Sequence, residues 1–112
     1  MTIHNPPENL IVVELPSKEL QIAEEIREVN EIIGENSDCD VIIDFAGVEA
    51  ITSSSLSNLL ILRGLLAEQG HHLVLCNVSF ITKCVFNVAG LDEVFEFAAD
   101  FPAAAAAVHS SQ

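Results

Sequence analysis

The sequence predicts an α/β domain: a mostly parallel sheet of four to five strands with helices packed on it. Short β-branched runs alternate with longer segments of helical spacing, in the order β-α-β-α-β-α-β-α. The runs are nearly all apolar, as strands covered on both faces must be. Gly34, Gly70 and Gly90 each close a helical segment, where a chain leaves a helix most easily. A length of 112 residues suits one domain, and a hydrophobic content of 50% excludes global disorder.

Taken in order, residues 1–9 are polar, hold Pro6 and Pro7, and read as a flexible N-terminal arm before a single domain over 10–112. Residues 10–15 form the first strand, stopped by Pro16. Ser17 is placed to cap a helix. In that helix Ile22, Ile26, Val29 and Ile33 share one side, with Glu24, Glu25, Glu28 and Glu31 largely on the other. Residues 41–45 are the second strand and 46–52 a loop. A second helix starts at Ser53 or Ser54 and runs to about Gln69. Residues 73–76 are the third strand. Residues 80–89 make a short helix with Phe80, Ile81, Val85 and Val88 on one side. Residues 94–97 are the last strand. Asp100 and Pro102 open a terminal helix over the alanine run 103–107.

The charge is −13, from 4 Lys and Arg against 17 Asp and Glu. Nucleic acids and anionic membranes need cations to neutralise phosphate, so neither is an expected partner, and a basic protein surface is the easier match. Cys39, Cys76 and Cys84 are odd in number and widely spaced, which predicts reduced thiols; Cys76 and Cys84 fall in apolar stretches and read as core residues. The first nine residues lack Lys, Arg and an apolar run, so they do not read as a secretory signal. The apolar segment 56–67 is interrupted by Arg63 and Gly64 and is too short to span a bilayer. Together these features predict a soluble, cytoplasmic protein.

Catalytic patterns are missing. There is no GxGxxG, no GxxxxGK[ST] and no GxSxG. His71 and His72 are adjacent, without the spacing of a helical metal pair, and read as turn residues after Gly70. Asp38 and Asp40 precede the second strand while Asp44 ends it, ~13 Å away at strand rise, so no metal cluster is expected and Asp44 reads as the cap of the next turn. No enzyme activity, cofactor or metal is therefore predicted. One local feature remains. Thr52, Ser53, Ser54, Ser55 and Ser57 place five hydroxyls within six positions at the mouth of a helix. Capping uses one or two of them. The others suit a phosphoacceptor, because the free N–H groups and dipole of a helix N-terminus favour added negative charge.

Residues 41–43, the Asp44-Phe45-Ala46-Gly47-Val48 turn, the stretch from Ile51 to Leu56, Gly70, Leu73–Cys76 and Ala89-Gly90-Leu91 resemble the STAS domain of bacterial anti-sigma-factor antagonists. The resemblance covers about residues 10 to 108. It implies a STAS-like α/β domain that is not an enzyme, binds an anti-sigma factor that is often a serine kinase, and is switched off by phosphorylation and restored by a phosphatase. The phosphoserine falls on Ser54, with Ser53 and Thr52 as alternatives. The docking surface it implies comprises Thr52, Ser53, Ser55, Leu56, Asn58 and Leu59, with Lys83 and Asn87 on the next helix. Thr52 stands where the family commonly has Asp, and Ser55 and Ser57 replace common glycines. An unswitched STAS scaffold of the stressosome type, or a subunit of a phospholipid-transport ATPase, is the alternative.

Overall fold

A computed structural model describes residues 2–4, 9–35 and 38–110 of the chain. Five strands form one sheet in the order β1-β2-β3-β4-β5: β1 (Thr2–His4), β2 (Leu10–Glu14), β3 (Asp40–Asp44), β4 (Leu73–Cys76) and β5 (Glu96–Ala98). The last four run parallel, and β1 pairs antiparallel with β2, Ile3 opposite Val13. Four helices complete the chain: α1 (Glu19–Gly34), α2 (Ser53–Glu68), α3 (Phe80–Val88) and α4 (Phe101–Ser110). The arm expected over 1–9 thus contains an edge strand. Residues 5–8, with both prolines, lie outside the described residues.

Alternation along the strands decides which helix goes where. Ile11, Val13, Val41, Ile43, Leu73 and Leu75 point to one face and join the buried residues of α1, α2 and α3. Leu10, Val12, Ile42, Val74 and Cys76 point to the other and meet Ala104 and Val108 of α4. Both sets are needed because a parallel sheet of this kind has no solvated face. The alanines of α4 let that helix approach the sheet, and Asp100 caps it by accepting from the Ala103 N–H at 2.9 Å.

Four local expectations need correction. α1 has Lys18, not Ser17, at its N-cap, with no side-chain cap bond, since Ser17 sits one residue too early. β5 begins at Glu96 rather than 94, because Leu91 to Val94 form a turn and the Val94 carbonyl accepts from Arg63 Nε at 2.8 Å. Phe80, Ile81 and Val88 do not face the core. α3 instead turns Thr82 and Phe86 inward. Phe86 meets Phe45, Phe95 and Phe97 edge-on with centroids 6.4, 5.5 and 5.3 Å away, and this cluster of aromatic partners, which Phe80 lacks, sets the helix rotation. Cys84 is consequently exposed, whereas Cys39 and Cys76 are buried as small apolar residues. Burial, with Asp44 and Asp100 nearby, pushes the Cys76 thiol up to about 11, so it stays protonated.

At the N-terminal ends of the strands, His71 holds two loops together. Its Nε2 meets Asp38 at 2.6 Å and its Nδ1 meets the buried Asp40 at 3.2 Å, while Asp40 also accepts from the His72 N–H at 2.8 Å. The hydrogen bond to Asp38 raises the His71 pKa above the usual 6.5, against the opposing effect of burial, and Asp40 adds to the rise. A raised folded-state value means that the contribution is complete below about 6.5 and is lost as pH climbs through that folded value. His71→Gln therefore lowers the melting temperature clearly at about pH 5.5 and much less at about pH 9. Thermal denaturation of both proteins at the two pH values checks this, and an equal deficit at both rules the charged form out.

Candidate functional site

The hydroxyl cluster lies where β3 hands over to α2, at the C-terminal edge of the sheet, the end at which open α/β sheets place their sites. Asp44 organises the hand-over. As expected, its Oδ1 caps the turn, accepting from the Ala46 N–H at 2.9 Å. It also accepts from Asn77 Nδ2 at 3.0 Å, which ties this loop to the β4–α3 loop. Phe45 and Val48 then bury their side chains and hold the loop against the core.

Two of the five hydroxyls are consumed at the helix start. Thr52 is the N-cap: its Oγ1 accepts from the Ser55 N–H at 3.2 Å and lies 3.2 Å from Ser55 Oγ. Ser55 is fully buried. The same device opens α3, where Ser79 Oγ accepts from the Thr82 N–H at 3.1 Å and donates to Thr82 Oγ1 at 3.1 Å. A hydroxyl at the cap paired with a second, three residues on, is therefore local architecture in this fold. That leaves Ser53, Ser54 and Ser57, all exposed. Ser54 stands in the first turn of α2 with its side chain open to solvent.

The remaining residues expected to dock a partner divide sharply. Leu59 and Ser55 are sealed in the core, so neither can touch another molecule; helical spacing puts them beside Leu62 and Leu66 on the inward side. Leu56 is half-buried against the core edge. Asn58 serves the α1–α2 seam, donating to the Ala23 carbonyl at 3.0 Å while Asn30 donates to the Asn58 carbonyl at 3.1 Å. Gln69 repeats the pattern on Ile33 at 2.9 Å. Lys83 lies over the Phe97 ring at 5.7 Å, and Asn87 donates to Asp92 at 3.1 Å. Both are exposed but already engaged within the chain. No sequence signal separated these roles, because each depends on which way its helix is rotated.

Among the described residues, no group of three or more His, Cys, Asp or Glu is placed to hold a metal ion, and no helix is long and apolar enough to cross a membrane. A hollow of about 220 Å³, lined by Arg63, His71, His72 and Glu96 among others, opens at the opposite end of the strands from the hydroxyl loop.

A parallel sheet with this helix arrangement and a hydroxyl-rich β3–α2 junction defines a class. The STAS domain family model matches residues 20–104, and the chain belongs to that family. Solved structures agree on the fold. An anti-sigma-factor antagonist (STAS) domain protein from Planctomyces limnophilus superposes with a TM-score of 0.80 at 21% identity, covering 96% of this chain and 97% of that one. The anti-sigma factor antagonist SpoIIAA in its unphosphorylated form gives 0.74 at 13% identity, covering 99% and 98%. A chain from the stressosome, described as a signal integration and transduction hub, gives 0.75 at 16% identity, covering 98% and 97%. No curated relative matches the sequence.

The capping geometry makes a direct prediction. Thr52→Val removes the acceptor for the Ser55 N–H and costs about 1 kcal/mol, or roughly 4 °C in melting temperature, whereas Thr52→Ser keeps it. Circular dichroism melts of the two variants check this, and an unchanged Thr52→Val midpoint refutes the capping role.

Proposed function

We propose that this chain is a non-catalytic binding module of the anti-sigma-factor antagonist type, which docks an anti-sigma factor with serine-kinase activity through the start of α2 and is released when Ser54 is phosphorylated. The observation that carries this reading is the exposed Ser54 in the first helical turn, beside a Thr52–Ser55 pair already occupied in capping. Ser53 and Ser57 are the remaining exposed hydroxyls, and Leu56 supplies apolar contact at the rim. Lys83 and Asn87, engaged with Phe97 and Asp92, are left out of the docking surface.

Charge distribution supports the switch. Residues 50–91 contain one acid, Glu68, of the chain's 17, together with Arg63 and Lys83. A phosphate on Ser54 adds about −1.5 to −2 to this charge-poor stretch. Within the chain, the free amides of the first turn offset it. At a packed interface the same group must be desolvated or must face a partner's carboxylates, and a penalty of ~3 kcal/mol weakens binding about 100-fold. No movement of the fold is required.

An unswitched scaffold is the second reading. It is favoured by Thr52, which stands where the family commonly has an acid, and by the structural likeness to a stressosome chain. The two readings part at Ser54. Ser54→Asp is expected to lose about 100-fold in affinity for an anti-sigma serine kinase that binds the wild-type chain, with an unchanged far-UV spectrum, while Ser54→Ala binds but accepts no phosphate. Phosphopeptide mapping after incubation with that kinase and ATP locates the acceptor. Equal binding by wild type and Ser54→Asp sinks the switch and leaves the scaffold.

A further inference from the structure

α3 carries an apolar face that the fold leaves open. Phe80 is 81% exposed, Ile81 72% and Val88 87%, with the exposed Cys84 between them. Hollows of about 410 and 430 Å³ lie along this helix, and Cys84 and Val88 line both. Scattered exposed apolar residues are ordinary, but four on one face of a nine-residue helix are a patch. Phe80, Ile81 and Val88 alone expose on the order of 400 Å² of apolar surface, about half of one partner's share of a standard interface.

We infer that this face is the contact between two copies of the chain, packed α3 against α3 in antiparallel fashion about a two-fold axis at Cys84. The row is self-complementary. Phe80, Cys84 and Val88 stand at i, i+4 and i+8, so a two-fold axis through Cys84 seats the large Phe80 of each copy against the smaller Val88 of the other. Charge permits the contact here and opposes it elsewhere. Two chains of −13 repel, yet no acid occurs from Gln69 to Leu91, and Asp92, which lines one of the hollows, accepts from Asn87 of its own chain, so the apolar row itself carries no carboxylate. Ser79, Lys83 and Asn87 stand exposed around the row, each engaged within its own chain, and border the contact rather than make it. A strongly basic partner finds on this face no acid but Asp92, which Asn87 already engages, and an anionic membrane is repelled by the rest of the molecule. The contact does not depend on the Ser54 reading.

Sedimentation of the full chain over a wide concentration range tests the inference. Wild type is expected to dimerise with a constant of about 100 μM and to tighten as salt is raised to about 1 M, because screening weakens repulsion between the acidic copies. Phe80→Ser and Val88→Ser, both on exposed positions, each weaken the dimer about tenfold or more with unchanged circular dichroism. Diamide, which accepts the two thiol hydrogens as the S–S bond forms, links wild type through Cys84 into a covalent dimer and links Cys84→Ser not at all. A chain that stays monomeric at ~1 mM overturns the proposal. So does a dimer that both Phe80→Ser and Val88→Ser leave intact, or a monomer whose Phe80 face binds neutral phosphatidylcholine vesicles instead.

Discussion

Three short parallel strands that must be covered on both faces dictate the rest of this molecule. β2, β3 and β4 contribute alternate side chains to two separate cores, and each core needs its own helices. α1 and α2, stitched by Asn30, Asn58 and Gln69 onto one another's carbonyls, cover one face with the inward side of α3. α4 covers the other with little more than Ala104 and Val108. The short reach of alanine is what allows a helix of this size to close against the sheet. The junctions at the C-terminal ends of the strands are then the places where side chains are left over for anything other than packing.

The hydroxyl run at the β3–α2 junction shows how structural and functional demands separate within a few residues. Thr52 and Ser55 close the helix end upon themselves, and Ser79 and Thr82 do the same one crossover later. That repetition marks the pair as a capping device and takes Thr52 out of the pool of free hydroxyls. Ser53 and Ser54 stand in the same first turn with their side chains away from the core. Exposure and position make both available as acceptors, the family resemblance is what selects Ser54 in the proposal, and the surrounding shortage of acids gives an added phosphate its electrostatic weight.

Net charge alone is a poor guide to this surface. At −13 the whole chain advertises a basic partner, yet the acids are concentrated before residue 50 and after residue 91, and the α2–α3 stretch is almost uncharged. The open face of α3 lies within that stretch. Its apolar row carries no carboxylate of its own, Asp92 standing at the border on Asn87, and a charged group at the centre of a contact would have to be desolvated.

Most of the fold was legible in the amino-acid order. The strands at β2, β3 and β4, the four helices and the glycine stops at Gly70 and Gly90, whose φ of +76° and +77° suits glycine, follow from hydrophobic period and local turn chemistry. Strand β1 was hidden because three residues pairing along the edge of β2 carry no periodicity of their own. The sequence by itself determined the class of fold and the family, and it gathered five hydroxyls at one helix mouth. Only the tertiary structure decided which of them are free, that Leu59 and Asn58 face inward, and that α3 turns Phe86 rather than Phe80 to the core. The reason is rotational: spacing says which residues share a side of a helix, but packing against Phe45, Phe95 and Phe97 selects the side that is buried.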